Sequence, residues 1–252
     1  MKQEPTGVAR SAAGGIPVVH GREDVKRELA AAYWPDVETH GVTVAVPVGA
    51  FEQHGPHLPL DTDTRIALAV TEALPDVALA PPIAYGASGE HEGFPGTVSI
   101  GADVTKAMFV EYGRSACRWA DRVLFVNGHG GNAYPLAEAV ALLRYEGRDV
   151  AWLPCAVPGA DAHAGITETS LMLHLAPDTV DMSRAAAGAT EPLRTLMPRL
   201  REAGIVSVSA NGVLGDPAGS TAELGADMFA NLVERATAQV ARWQPGTEGR
   251  LR

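Results

Sequence analysis

At 252 residues the chain is long for one domain, yet within reach of a single α/β unit that buries its core without disulfides or structural metal. Its 20 basic and 30 acidic side chains give a formal charge of −10, which argues against nucleic acid or an anionic membrane as partner, because both demand a basic face. Cys117 and Cys155 sit among apolar residues with no C-x-x-C spacing and read as buried small hydrophobes of a reducing cytoplasm. The chain shows no signal-peptide h-region and no apolar run near the ~20 residues of a membrane span, so the expected location is cytoplasmic.

Residues 1–18, rich in Gly, Ala and Pro, are expected as a flexible tail. Residues 23–33 read as a short helix ending near Trp34-Pro35. The continuous apolar run of β-formers at 42–48 has the pattern of a buried parallel strand. After a loop at 52–64, Asp63 or Thr64 is expected to cap a helix through about Leu74, and 77–79 forms a second short strand. Residues 80–101 are long and irregular; such loops are usually functional or pack on a neighbouring subunit. A helix at 102–119, a strand at 122–126, a helix at 133–145 and a strand at 150–156 follow. A turn at 161–165 leads into a helix at 167–175. Beyond it come a helix at 191–203, a short strand at 206–208 and a last helix to about Trp243, opened by a Ser220–Glu223 capping box. Residues 244–252 are expected as a second flexible tail. With no repeat or linker, 1–252 reads as one domain, and alternating strands and helices imply an α/β fold with a mainly parallel sheet flanked by helices.

Chemistry concentrates in VPVGAFEQHGPHLPLDTDT, where Glu52, His54, His57, Asp61 and Asp63 fall within twelve residues. His129 follows the next long strand, and His163 with Glu168 follows the one after. In an open α/β sheet ligands bind beyond the carboxyl ends of the strands, so these loops converge there. Glu52 and His54 stand at i and i+2 and point the same way on extended backbone. A two-metal hydrolytic site needs several hard or borderline donors and one carboxylate that bridges. The assignment is one divalent ion on Glu52, Asp63 and His129 and a second on His54, Asp63 and Glu168, with Asp63 shared. Three carboxylates and one hydroxide balance two divalent cations, whereas four uncompensated charges in a cleft would not all stay ionised. Mixed oxygen and nitrogen donors admit Zn²⁺, Fe²⁺ or Mn²⁺.

Each feature alone is weak. The pair His54 and His57 is more often surface or core, Glu52 reads equally as an ion-pair partner, and Glu168 as a first-turn acid favoured by the helix dipole. Their joint occurrence after three strands carries the metal reading. His20, His40 and His174 read as structural, whereas His91, in the long loop, is a candidate to line the pocket. Gly128-His-Gly130-Gly-Asn-Ala133 formally matches a dinucleotide-binding fingerprint. The next strand ends at Pro154-Cys155-Ala156 without the ribose-binding acid, and no Walker lysine is present, so that match is discounted.

Gly49-Ala-Phe-Glu52-Gln-His54-Gly-Pro-His57-Leu-Pro-Leu-x-x-Asp63, Asn127-Gly-His129-Gly-Gly-Asn132 and His163-Ala-Gly-x-x-Glu168-Thr together resemble the creatininase (creatinine amidohydrolase) family over about residues 42–243. The resemblance implies a metal-dependent amidohydrolase with an α/β sandwich fold, usually a homo-oligomer (a hexamer or similar). It puts metal ligands on Glu52, His54, Asp63, His129 and Glu168 and a proton-transferring histidine on His163. Creatininases read Asn-Gly-His-Tyr-Glu-Asn where this chain has Gly130 and Gly131, and the tryptophans that cover creatinine have no clear match near His163. A roomier site and a substrate other than creatinine are implied.

Gly89-Glu-His-Glu-Gly-Phe-Pro-Gly-Thr97, residues 161–170 and residues 209–223 resemble the mycofactocin-system branch of that family. That branch cuts a modified precursor peptide before its C-terminal Val-Tyr-derived unit. On this reading His163 protonates the departing amine, Glu168 binds a metal and steers the attacking water, and His57 and Asn132 orient ligands from behind. The alternatives are a small-molecule amidohydrolase acting on a lactam or formamide, and a non-enzymatic nucleotide- or peptide-binding protein using the glycine-rich loop.

Overall fold

The computed structural model describes residues 28–252; the expected tail at 1–18 and most of the expected first helix lie outside them. Four strands, β1 (Thr43–Val48), β2 (Ala78–Leu79), β3 (Arg122–Asn127) and β4 (Val150–Pro154), pair in parallel in the order β2-β1-β3-β4. The register sets Val48 beside Asn127 and Asn127 beside Pro154, so three strands end at one level. Val44, Val46, Phe125 and Trp152 face α2 (Ala102–Ala116) and α3 (Ala133–Tyr145), where they meet Phe109, Leu136 and Leu143. Ala45, Leu124, Val126 and Leu153 face the other side. There α1 (Thr62–Glu72), α4 (Ile166–Leu175) and α6 (Ala222–Arg242) supply Ile66, Val70, Leu171, Met172 and Leu232. Both faces are covered, which is why the strands read as unbroken apolar runs rather than as alternation.

The strand order reverses between β1 and β3, which makes that crevice the topological switch point. The loops leaving β1 and β3 approach α1 there almost backbone to backbone. A Cβ added to Gly128 would lie 2.3 Å from the Asp63 carbonyl oxygen, so only glycine lets the two segments come this close. Outside the sheet, α5 (Leu193–Ala203) buries a single residue, Leu196, against Ile205 and Leu214.

Several local expectations are corrected. Residues 28–33 are not helix: Glu28 bridges to Leu79 at the sheet edge, and one 3-10 turn, Leu29–Ala31, follows. Pairing to β2 outweighs helix propensity there. Neither Asp63 nor Thr64 caps α1. Asp61 stands at the cap position, makes no cap hydrogen bond and instead accepts from Arg65 Nε at 2.7 Å. The cap of α6 is Thr221, whose hydroxyl accepts from Leu224 N at 3.1 Å, one residue beyond the expected Ser220. The expected strand at 206–208 is a 3-10 turn, Ile205–Ser207; β-branched residues make no ladder without a neighbouring strand to pair.

The tail at 244–252 packs. Trp152 N donates to Gly249 O at 3.0 Å, Leu251 N donates to Trp152 O at 2.9 Å, and Leu251 is buried in the core. β4 is an edge strand, and the tail supplies partners for its open backbone groups. Among the described residues no helix is long and apolar enough to cross a membrane.

Candidate metal centre

The loop after β1 folds back on itself, because Glu52 N donates to Leu60 O at 3.0 Å and His54 bridges to Leu58. The return brings Asp63, in the first turn of α1, beneath the residues eleven positions before it. His54 Nε2 lies 3.0 Å from Asp63 Oδ1. His129, the second residue after β3, places Nδ1 3.2 Å from Glu52 Oε1 and 3.2 Å from Asp63 Oδ2. Glu168 arrives from the first turn of α4. Ligand atoms of Glu52, Asp63 and His129 lie within 4.8 Å of one another, as do those of His54, Asp63 and Glu168. Asp63 belongs to both groups, as the expected bridging role requires. A third group of the same spacing, Glu52, His54 and His163, was not foreseen and makes His163 a candidate ligand beside its expected role as proton donor.

Glu52, His54, Asp63 and His129 are all 5 % exposed or less. Both oxygens of Glu52 and Oδ2 of Asp63 lack an in-line hydrogen bond, although imidazole nitrogens stand 3.2 Å away. Buried anionic oxygens left this way cost several kcal/mol each unless a cation meets them. In the protein alone, protons fill that role. Burial works against a charged His54, yet the charge and hydrogen bond of Asp63, then Glu168 and Glu52, hold its pKa up to about 10. Burial likewise opposes the proton on His129, and Glu52 and Asp63 raise its pKa well above the ordinary value. Burial alone would raise the Asp63 carboxyl; His54 and His129 pull it well below the usual carboxylate range. Carboxylate and imidazole donors of this kind, with orphaned oxygens between them, suit divalent Zn, Fe or Mn.

A second ring of groups aims the first. His129 Nε2 donates to Ala87 O at 2.9 Å, which turns Nδ1 toward the carboxylates. Asn132 holds that carbonyl in place: its Oδ1 accepts from Ala87 N at 3.0 Å and its Nδ2 donates to Gly49 O at 2.9 Å. Asn132 thus acts through the 80–101 loop. His57, buried, bonds Thr169 through Nε2 at 2.9 Å, one residue from Glu168. His91 sets Nε2 3.2 Å from Glu52 Oε1; burial and then His163 push its pKa well down, so it is neutral. Burial and the charge on His54 lower His163 to about 4. Gln53, which the sequence did not single out, contacts both His91 and His163.

A cleft of about 880 Å³ opens directly on this cluster. Glu90 and His91 form one wall, and Met197, Leu200 and Val206 the other. A Cβ at Gly130 would meet nothing within 4 Å, so the floor beside His129 is open. The glycine-rich turn is a single 3-10 turn, Gly130–Asn132. It stands beside Glu52 and Asp63, whose charges would repel a nucleotide phosphate.

The family model described as creatinine amidohydrolase matches residues 30–240. A curated relative from Mycolicibacterium smegmatis, named mycofactocin precursor peptide peptidase, is 57% identical over 217 residues, 82% of this chain and 88% of its own. Two solved structures reproduce the fold. One, described as "Creatininase Mn", has a TM-score of 0.73 at 26% identity and covers 87% of this chain and 99% of its own. The other, a mutant creatininase of "Zn-Zn type", has a TM-score of 0.71 at 26% identity and covers 86% and 98%. The family match takes in β1 to α5 and most of α6, with every element that carries the cluster, and this protein therefore belongs to the creatinine amidohydrolase (creatininase) family of metal-dependent amide-bond hydrolases.

Proposed function

We propose that this enzyme is the peptidase that releases the modified C-terminal Val-Tyr-derived unit from the mycofactocin precursor peptide. The observation that carries the peptide reading is the cleft: about 880 Å³, open at Gly130 and walled by apolar side chains of α5. Such a space is wide for a small lactam and suits a chain with an apolar end. The 57% identity to a relative named for that substrate supports the same reading.

Glu52, Asp63 and His129 would hold one divalent ion, and His54, Asp63 and Glu168 a second, with Zn²⁺, Fe²⁺ or Mn²⁺ as candidates. When bound, the ions supply Lewis acidity that makes water nucleophilic at neutral pH and polarises a scissile carbonyl. The protein's own part is positional. Glu168 accepts from Ala164 N at 2.6 Å through Oε2, so the turn that carries His163 is tied to the Glu168 carboxylate, which would steer the attacking water. His163 takes up a proton as water attacks and delivers it to the departing amine, which does not leave as an anion. His91, Asn132 and His57 orient ligands from behind. We place the chain in the cytoplasm as one domain of a homo-oligomer, a hexamer or similar.

The test pairs metal analysis with cleavage of the modified precursor peptide, with creatinine as the comparison substrate. About two metals per chain and chelator-reversible release of the C-terminal unit, without creatinine hydrolysis, are expected. Creatinine turnover with an uncut peptide would return the small-amide reading.

A further inference from the structure

Gln53 stands between Glu52 and His54 and is 5 % exposed. Its side chain meets three distant segments. Oε1 accepts from Gly55 N at 2.8 Å, and Nε2 lies 3.1 Å from Gly212 O, 3.0 Å from His91 Nδ1 and 3.1 Å from His163 Nε2. Gly212 is shaped for it: a Cβ there would fall 1.9 Å from Gln53 Oε1.

The orientation of the amide follows from backbone partners alone. A flipped amide would set its NH₂ against the Gly55 N–H and its oxygen against the Gly212 carbonyl, two repulsions in place of two hydrogen bonds. The hydrogens can then be traced. The main-chain carbonyl of Gln53 lies 2.8 Å from His163 Nε2; a carbonyl only accepts, so Nε2 of His163 carries a hydrogen. The amide has two hydrogens of its own. One goes to Gly212 O, and since His163 Nε2 is already a donor, the other goes to His91 Nδ1. His91 therefore carries its own hydrogen on Nε2, the nitrogen 3.2 Å from Glu52 Oε1. His163 is left with a bare Nδ1, 3.9 Å from Glu168 Oε2 on the cleft side.

We propose that Gln53 is a positioning residue that sets the tautomers of two active-site histidines at once. Its amide puts the His91 hydrogen on Nε2, the nitrogen that faces Glu52 Oε1, and its main-chain carbonyl leaves His163 Nδ1 free to take a proton from the attacking water and pass it to the departing amine. The catalytic half rests on His163 acting as the proton donor; the tautomers do not.

The decisive variant is Gln53→Met, which keeps the volume and removes the amide. A packing role alone leaves it near wild type. A positioning role lowers kcat roughly 10–100-fold, the usual cost of losing an orienting partner, with KM and metal content held. Gln53→Glu has the right shape but nothing to donate to His91 Nδ1, so it is expected to fail similarly, whereas a merely steric role predicts rescue. Long-range ¹H–¹⁵N spectra of the zinc-loaded wild type, assigned with His91→Gln and His163→Gln, read the tautomers without turnover. A hydrogen on Nε2 of both rings is expected, and a hydrogen on Nδ1 of either overturns the proposal, whether or not the variants fold. If the tautomers are as stated but the precursor peptide is not cut by wild type, the substrate reading fails and the positioning role stands.

Discussion

Asp63 is the carboxylate common to the two groups assigned to the ions, Glu52 with Asp63 and His129 and His54 with Asp63 and Glu168, so its loss has its own signature. Asp63→Asn is expected to remove both metals, whereas Glu168→Gln removes about one, because Glu52, Asp63 and His129 remain intact. Metal analysis of the two purified variants reads this directly, and equal losses would sink the shared role. His163 is separated from the ligands by the same measurement. His163→Ala should retain full metal content while turnover falls about 10²–10⁴-fold; coincident loss of metal would place it instead in the third group, with Glu52 and His54. That these side chains gather in one place was legible in the sequence, because each is a metal-binding residue type in a segment that follows a predicted strand. Gln53 was not, since an amide has no metal-binding signature. Its role emerges only from partners 38, 110 and 159 residues away.

At the scale of elements, the buried strands were the most legible part, because a parallel sheet covered on both faces leaves continuous apolar runs. The C-terminal tail misled: Gly246, Thr247 and Gly249 read as coil, and its order comes from the free edge of β4 and from one buried leucine, Leu251. α5 was legible as a helix, but its purpose was not. It is amphipathic yet buries only Leu196, and Leu193 is 45 % exposed. Its position explains this, for Leu193, Met197 and Leu200 line the cleft. Met197→Asp should therefore leave metal content and folding intact while raising KM for the precursor peptide. The rise is on the order of tenfold, since a carboxylate there no longer shields an apolar peptide end from water. The measurement is steady-state cleavage of peptides ending in Val-Tyr against peptides with a polar final residue. An unchanged preference between the two would remove α5 from substrate recognition.

Across the whole molecule, the cluster joins the β1 loop, the β3 loop, α1 and α4, elements from both sides of the switch point. Ions held there bind the folded chain and not the unfolded one, so they add stability by mass action, about 4 kcal/mol at a thousandfold excess over Kd. Without ions, protons on His54 and His129 neutralise the same carboxylates, and that substitute depends on pH. The folded pKa of His54, about 10, lies above its ordinary 6.5. Its contribution to the metal-free protein is therefore complete below pH 6.5 and declines as pH rises toward 10. His129, also raised, acts in the same direction. Metal ions compete with these protons, so their own hold strengthens as pH rises. Both effects have the same sign: the difference in thermal midpoint between metal-loaded and chelated protein should be smallest near about pH 6 and widen steadily to about pH 9. Scanning calorimetry of the two forms in matched ionic strength measures it. A difference that stays flat or narrows over that range would mean that protons do not stand in for the ions, and that the buried carboxylates are neutralised in some other way.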